Sequence, residues 1–506
     1  MSSQALDIHR PDLVAGVAGA GTMGRGIAQV LAQAGVRTLL FDAQPGAAQR
    51  GRDAIAQALA KLAERGKLDA GAARAAAERI AVADALEAFG PCHVVVEAII
   101  EDLEAKRTLF GRLEEIVSAQ CILASNTSSL SVTAMAAKCL HPERVAGYHF
   151  FNPVPVLRIV EVVDGVRTAP WATEALTALA KRFGHTPVRC NDTPGFIVNH
   201  AGRAFVPEAL RVLSEGVADF AAIDRILVDA AGFRIGPFGL MDLVGLDVNH
   251  AVMKSMYQQY FEEPKYRPSF LVEPRVAAGL LGRKTGQGWY TYGKDGAAVA
   301  LPEKSPPQDR PKAAWAVPEL RDLFAKLALP LEAKPGKSTV NFVAPLGKDC
   351  TTTALELGLD PVRTVAVDPL FGFTKRRTLM TNPATLADVR DAAHGLLASD
   401  GVPVSVINDS PGFVAQGVVA HIVNVGCDIV QMRIATPEDL DRAVMLGLGY
   451  PRGPLGMGDA AGPAKILAIL EAMHSIYQEP RYRASPWLRR RAQLGASLLT
   501  PEPSPC

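Results

Sequence analysis

Cysteine is sparse in this chain and never grouped. Seven cysteines stand singly among 506 residues, with no CxxC pair and no cluster with histidine at metal-ligand spacing. That excludes a disulfide framework and a zinc-type site, and no metal is expected. An excess of charge is missing too: 53 Lys and Arg meet 52 Asp and Glu, a formal net charge of +1. No overall electrostatic pull toward nucleic acid or an anionic membrane follows from such a balance. No apolar run approaches the ~20 residues that cross a bilayer. The opening stretch, MSSQALDIHRPDL, lacks the basic-then-apolar pattern of a secretory leader. A cytoplasmic chain with reduced, mostly buried cysteines is expected. At 506 residues it exceeds one ordinary core, so two to four domains are expected.

What is present is concentrated first in Leu13 to Asp42, LVAGVAGAGTMGRGIAQVLAQAGVRTLLFD. An apolar run reads as a buried strand and passes into Gly19-Ala20-Gly21-Thr22-Met23-Gly24, then an alanine-rich helical stretch and a second apolar run ending at Asp42. Gly19 suits a tight turn, Gly21 lets backbone amides approach a pyrophosphate, and Gly24 lets helix and strand pack closely. The helix start offers unpaired N–H groups and a positive dipole end to phosphates. Asp42 stands where an acidic residue accepts hydrogen bonds from an adenosine ribose and repels a 2′-phosphate, which favours NAD over NADP. A glycine-rich turn in some other βαβ unit is the competing reading.

From Asp42 to about Ala85 the composition is helical, rich in Ala, Arg, Lys and Glu and broken at Gly66 and Gly71, which suggests an inserted helical hairpin. Its basic residues Arg50, Lys61, Arg65 and Lys67 suit an acidic ligand or simply a solvated face. Further buried strands are read at His93–Ile100, Cys121–Ser125, Val145–Phe151, Leu157–Val163 and Thr186–Cys190. Their alternation with helices argues a parallel, doubly wound sheet ending near residue 190. Helical stretches follow from Asn191 and close near GRKTGQGWYTY, residues 282–292; residues 294–312, rich in Pro, Gly and charge, read as a linker.

An internal repeat then emerges. Asn408-Asp409-Ser410-Pro411-Gly412-Phe413 echoes Asn191-Asp192-Thr193-Pro194-Gly195-Phe196, RIGPFGLMDLVG (234–245) is matched by PRGPLGMGDAAG (451–462), and EEPKYRPS (262–269) by QEPRYRAS (478–485). The helical domain therefore occurs twice, at an offset near 217 residues (191 to 408). Strands before the second copy, at Thr339–Val343 and Thr364–Val367, come without GxGxxG and read as a degenerate sheet domain. The expected domains are 1–190 (Rossmann-like, NAD-binding, with the insertion), 191–293 (helical), 313–405 (degenerate sheet) and 406–506 (second helical copy).

Three groups stand between strands of the first domain: Ser128 in SNTSS, His149 in YHFFNP and Glu161 in VEVV. Loops at the carboxyl ends of parallel strands are where an open α/β sheet places its ligand. Oxidation of an alcohol needs a base for the hydroxyl proton, and histidine titrates near neutrality. A carboxylate on the other ring nitrogen would fix the tautomer. Equally, a histidine beside two aromatics suits a packed core, and a strand glutamate can pair with any nearby base.

GAGTMGRGIA, VVVEAIIEDLEAKRTLF, SNTSSL, HFFNPVPV, IVEVV, DTPGFIVN and GRKTGQGWY follow one another as in the L-3-hydroxyacyl-CoA dehydrogenases, which residues 13–292 resemble. The whole architecture is similar to the long bacterial form, associated with phenylacetate breakdown through 3-hydroxyadipyl-CoA and with 3-hydroxybutyryl-CoA oxidation. That resemblance implies His149 as general base or acid with Glu161 as its partner, and Ser128 and Asn199 on the substrate oxygen. It implies NAD contacts from Gly19, Gly21, Thr22, Met23, Gly24, Asp42, Glu101, Lys106, Asn126, Asn152 and Lys284, and an acyl-CoA substrate held partly at Lys61 and Arg65. Where the family reads VNR this chain has Asn199-His200, expected as a surface change.

In the second copy Asp368 falls roughly where His149 would, Gln416 stands opposite Asn199, and the GRKTGxGxY segment is missing, so no second active site is expected. The helical domain resembles the dimerisation module of shorter relatives, so the two copies are expected to pack as an internal pseudo-dimer, with a homodimer left open. Competing functions are a dehydrogenase of free hydroxy acids or sugar acids and a non-catalytic NAD-binding scaffold; the intact Ser128, His149, Glu161 and Asn199 argue against the scaffold. A single activity, without a fused hydratase or thiolase, is expected. The arginines of Arg481-Tyr482-Arg483 and Arg489-Arg490-Arg491 read as a solvated helix face, or as a dock for an acidic partner.

Overall fold

The structure, a computed structural model, describes residues 6–503. The first five residues of the opening stretch and the seventh cysteine, Cys506, lie outside them. Two compact units form: one holds the residues up to His200 together with Met432–Leu448, the other Ala201–Gln431 together with the residues from Gly449.

In the first unit eight strands make one sheet: β1 (Val14–Ala18), β2 (Arg37–Phe41), β3 (Ile80–Val82), β4 (Val94–Glu97), β5 (Ile122–Ser125), β6 (Val145–Phe150), β7 (Ile159–Asp164) and β8 (Thr186–Asn191), in the order β3-β2-β1-β4-β5-β6-β7-β8. Every pairing is parallel except β6 with β7. The segment between those two strands is too short for a crossover helix, so the chain can only turn back on itself. Strands β1, β4 and β5 are buried along their whole length, as helices on both faces demand.

The helices that position the site are α1 (Thr22–Gln33), α2 (Ala47–Glu64), α3 (Ala70–Glu78), α4 (Leu103–Ile116), α5 (Val132–Ala136), α6 (Pro170–Arg182) and α7 (Val198–Ala201). The inserted hairpin is α2 and α3, but Gly71 lies inside α3 rather than breaking it, and Asp69 caps that helix by accepting from the Ala72 amide. Edge strand β3 follows directly. With three residues it is too short to show any alternation in sequence.

The second unit carries the helices of the first repeat, among them Phe205–Ser214, Phe220–Asp229, Pro237–Val244 and Leu246–Gln259, and a five-stranded sheet. Its strands are β9 (Ala314–Ala316), β10 (Val340–Val343), β11 (Thr364–Val367), β12 (Arg377–Thr381) and β13 (Val404–Ile407), ordered β13-β12-β11-β10-β9, with β11 and β12 antiparallel. Parallel, parallel, antiparallel, parallel is the pattern of β4 to β8. Among the described residues the degenerate sheet therefore lacks any equivalent of β1–β3, the part that carries the glycine turn.

Within this unit the helices Phe205–Ser214 and Ala415–Gln431 pack together, and Glu208 of the first repeat accepts from Tyr482 (3.0 Å) and faces Arg481 (3.4 Å) of the second. Arg481 and Arg491 are buried, against the expectation of a solvated face: Arg491 stacks on Trp487 and donates to the Thr500 carbonyl. Arg483, Arg489 and Arg490 are exposed. Residues 294–312 are anchored at Glu303, which pairs with Arg225 and Arg376, both at 2.8 Å. The six described cysteines are free thiols, five of them buried.

Candidate active site

Parallel strands bring their carboxyl ends to one edge. The register pairs Ala18 with both Phe41 and Glu97, Glu97 with Ser125, and Ser125 with Gly147 two residues before His149. The glycine turn and His149 thus share that edge, three strand spacings or about 14 Å apart at ~4.8 Å each. Contact closes the gap: a Cβ on Gly26 of α1 would lie 2.8 Å from the Val154 Cβ, so the glycine helix packs directly on the HFFNPV loop.

The turn is built as its residue types predict. Gly19 has φ +108°, and a Cβ on Gly24 would stand 1.8 Å from the Gly19 carbonyl oxygen. Nothing lies within 4 Å of where a Cβ on Gly21 would be, and no side chain caps the α1 amides. Open space above uncapped helix amides is what a pyrophosphate requires. Asp42 accepts from the Ala20 amide (2.8 Å) and the Gln44 amide (2.9 Å), and it lines a cavity of about 520 Å³ that runs from Phe41 to Arg112. The residues present fit a dinucleotide.

At the other end of the edge, His149 Nδ1 lies 2.6 Å from Glu161 Oε2. Both side chains are buried, and they are direct register partners across β6 and β7. Glu161 Oε1 accepts from the backbone amides of Ile197 (3.0 Å) and Val198 (2.8 Å) at the start of α7. With Nδ1 engaged, Nε2 is the position from which this ring can exchange a proton with a ligand. Phe151 and Phe196 flank the imidazole at 4.5 and 5.8 Å between centroids. The next residue on α7 is Asn199, which donates to the Ser128 carbonyl at 3.3 Å, so Ser128 and Asn199 meet. Asn126 accepts from the Phe150 amide at 2.8 Å and ties the β5 end to the β6 end.

Between these ends lies a polar floor, buried at Lys106 and Glu97 and open to solvent at Glu101. Lys106, 1 % exposed, pairs with Glu97 at 2.7 Å and with Glu101 at 3.1 Å. Glu101 also accepts from Thr127 Oγ1 (2.7 Å), Ser129 Oγ (2.9 Å) and the amide of Ser128 (2.9 Å). Burial alone would raise its carboxyl; Lys106 and these donors outweigh that and hold it down at about 2. Glu97, which also accepts from Ser125 Oγ at 2.6 Å, was not foreseen. Its one signal is a carboxylate at the end of the apolar run HVVVE. Asp192 was missed as well: it accepts from Ser131 Oγ and the Val132 and Thr133 amides, pinning the start of α5 beside the SNTSS loop.

Of the remaining expected residues, Thr22 and Asn152 are exposed and Met23 is half-buried. Lys284 belongs to the second unit and pairs with Asp247 at 2.6 Å. Lys61 and Arg65 are exposed at the end of α2. His200, expected at the surface, is fully buried, because α7 turns that side chain inward while Asn199 stays half-exposed.

The second copy keeps the frame with other side chains in it. Asp368 donates its amide to the Thr378 carbonyl, so Asp368 and Thr378 occupy the register of His149 and Glu161. Gln416, in the place of Asn199, donates to Asp368 Oδ1 at 2.9 Å. Burial pushes the Asp368 carboxyl up to about 6.

A glycine turn with room for a dinucleotide and a buried imidazole–carboxylate pair on one sheet edge are the parts that hydride and proton transfer to or from an alcohol would require, and the class they point to is the NAD-binding dehydrogenases. Residues 14–193 match the family model for the NAD binding domain of 3-hydroxyacyl-CoA dehydrogenase, and residues 195–292 and 412–497 match the model for its C-terminal domain. The chain belongs to the 3-hydroxyacyl-CoA dehydrogenase family, and NAD is its cofactor. It is 38% identical over 482 residues to the 3-hydroxyadipyl-CoA dehydrogenase of Escherichia coli K12, covering 94% of this chain and 97% of that protein. Over 277 residues it is 43% identical to a probable 3-hydroxybutyryl-CoA dehydrogenase of Deinococcus radiodurans, covering 55% of this chain and 99% of the relative. The crystal structure of an Escherichia coli K12 3-hydroxybutyryl-CoA dehydrogenase matches with a TM-score of 0.85 at 36% identity, covering 95% of this chain and 98% of that one. Among the described residues no helix is long and apolar enough to cross a membrane.

Proposed function

We propose that the chain oxidises (S)-3-hydroxyacyl-CoA to 3-oxoacyl-CoA, with His149 taking the hydroxyl proton on Nε2 as hydride leaves the carbon. The observation that carries this is the buried His149–Glu161 hydrogen bond of 2.6 Å on the edge shared with the glycine turn. NAD, when bound, supplies the hydride acceptor. Glu161 fixes the imidazole tautomer and favours its protonated form during turnover. Ser128 and Asn199 hold the substrate oxygen in line with Nε2. Gly19, Gly21, Thr22, Met23 and Gly24 receive the pyrophosphate, Asp42 the adenosine ribose, and Glu101, Lys106, Asn126 and Asn152 complete the cofactor site. Phe151 and Phe196 keep bulk water from the imidazole.

The acyl group is a short straight chain or one ending in a carboxylate, as the names of the relatives suggest. The CoA portion is met by Lys61 and Arg65 on the insertion, and the enzyme works in the cytoplasm. The four-part division at 1–190, 191–293, 313–405 and 406–506 is retained as the functional one. The two helical copies act as an internal pseudo-dimer, a reading supported by an exchange of matching hydrogen bonds. Asn191 bonds Ile434 and Arg433 through its amide and side chain, and Asn408, its repeat equivalent, bonds Val217 and Gly216. Each copy offers the same surface to the other, the mark of an isologous contact.

Loss of NADH absorbance on addition of acetoacetyl-CoA, compared with acetoacetate, tests the reaction. Turnover with acetoacetate alone would favour a dehydrogenase of free acids, and none with either would favour a binding scaffold. Comparing 3-hydroxybutyryl-CoA with 3-hydroxyadipyl-CoA then selects the acyl group.

A further inference from the structure

The second repeat has no dyad of its own, yet one of its helices belongs to the first unit. Helix Pro437–Gly447 packs on β7, which carries Glu161, and on β8. It is fixed there by the Asn191 amide on the Ile434 carbonyl (2.9 Å), Asn191 Nδ2 on the Arg433 carbonyl (2.8 Å) and the Arg189 amide on Asp439 (3.2 Å). Its last residue, Gly447, faces Val198. A Cβ built there would lie 3.0 Å from each of the two Val198 Cγ atoms, nearer than ordinary van der Waals contact allows. Val198 is 1 % exposed, and its amide is one of the two that hold Glu161 Oε1.

The turn before Val198 includes a residue in the left-handed region. Gly195 and Phe196 both have positive φ, +76° and +49°, and phenylalanine adopts that region only when its surroundings impose it. Pressure on Val198 therefore passes to the amides on Glu161 and, one residue on, to Asn199. Glycine disfavours a helix relative to alanine, so its presence at 447 needs a packing reason. The repeat offers one. At the 217-residue offset Val198 and Gly447 correspond to Ala415 and Ala230, so the larger residue at one position goes with the smaller at the other.

We propose that Gly447 is a positioning residue for the active site: the second, non-catalytic repeat buttresses Val198 and so keeps Glu161 and Asn199 aligned with His149. This rests on the reading that the His149–Glu161 pair moves the proton. The second repeat is thereby a working part of the first repeat's site.

The test is a double-mutant cycle on the full chain with acetoacetyl-CoA and NADH. Gly447→Ala should lower kcat about tenfold, since displacements of an ångström or less remote from the chemistry cost one to two orders of magnitude. KM for NADH should stay within about twofold, because the glycine turn does not rest on Val198. Val198→Ala, which opens a gap in place of a clash, should lower kcat about threefold with the same KM pattern. Combining the two should return kcat to within about threefold of the parent, a rescue that general destabilisation does not produce. Parental kcat in either single variant overturns the proposal, as does a double variant no better than Gly447→Ala. Should Gly447→Ala not fold, Val198→Ala alone decides by the same criterion. Activity retained in His149→Gln would instead remove the dyad reading beneath it; a dead His149→Gln beside a fully active Gly447→Ala removes only this inference.

Discussion

Glu161 divides its two carboxyl oxygens between two tasks: Oε2 meets His149 Nδ1 at 2.6 Å, while Oε1 takes the amides of Ile197 and Val198. Glu161→Gln separates those tasks. Its carbonyl oxygen can still accept from the two amides, so α7 stays in place, but its NH₂ must then donate to Nδ1. The imidazole is left protonated on Nε2 and unable to act as base. Turnover should fall by about 10²–10⁴-fold in Glu161→Gln and in His149→Gln, with little change in NAD affinity. Stopped assays of NADH oxidation beside a fluorescence titration of NADH binding check both halves; full turnover in either variant refutes the proton relay.

Asp42 holds the Ala20 amide with one oxygen and the Gln44 amide with the other, so its carboxylate is fixed at the cavity it lines. A negative charge so fixed discriminates against a 2′-phosphate. In Asp42→Ala the ratio of kcat/KM for NAD over NADP should drop by about tenfold or more, about 1.4 kcal/mol of lost discrimination. A parent enzyme that prefers NADP would contradict the assignment outright.

The parts of the candidate site that sequence and structure place alike are those written in local spacing. Gly19, Gly21, Gly24 and Asp42 lie within one βαβ unit, and His149 and Glu161 sit in loops and strands whose patterns were plain. Glu97 escaped because its partner Lys106 follows after a loop and a helix start, a spacing that no helical or strand period marks. His200 was misplaced because a four-residue helix has too little pattern to show which side turns inward. Arg481 and Arg491 looked like solvent-facing charge; the carboxylate that buries Arg481 is Glu208, in the other repeat. Antiparallel pairing of β6 and β7 depended on loop length rather than strand composition. The contact of Gly447 with Val198 spans the chain and has no trace in either neighbourhood.

Glu208 offers a stability test. Its side chain is fully buried and faces Arg211 at 2.9 Å, with Tyr482 and Arg481 of the second repeat around it. Burial alone would raise its carboxyl, but Arg211 above all, then His421 and Arg481, lower it from 4.5 to about 2. A carboxyl with a depressed native pKa stabilises above its unfolded value and loses that contribution as pH falls from about 4.5 toward 2. Glu208→Ala leaves buried arginines uncompensated and should destabilise the chain by about 3–5 kcal/mol at pH 7. That deficit should shrink in urea titrations run toward pH 3. A constant deficit across the range would mean that charge is not what Glu208 contributes.

Asp368 has the opposite sign and tests whether the degenerate sheet has chemistry of its own. Burial raises its carboxyl from 3.8 to about 6, with only the Gln416 amide and the Leu370 N–H bonding it in return. A carboxyl with a raised native pKa contributes stability that is fully present below its unfolded value of about 3.8 and lost as pH rises through about 6. At pH 7–8 the native chain therefore carries a buried charge that it would hold more easily as an acid. Asp368→Asn keeps an oxygen for Gln416 and removes that charge, so it should stabilise the chain by about 1–3 kcal/mol above pH 6, at ~1.4 kcal/mol per pKa unit. The gain should vanish in thermal melts at pH 4. Dehydrogenase turnover should stay at the parent value throughout, because Asp368 stands in the register of His149 without a glutamate across from it and without a glycine turn in its sheet. A loss of turnover in this variant would show that the degenerate sheet, too, feeds the chemistry.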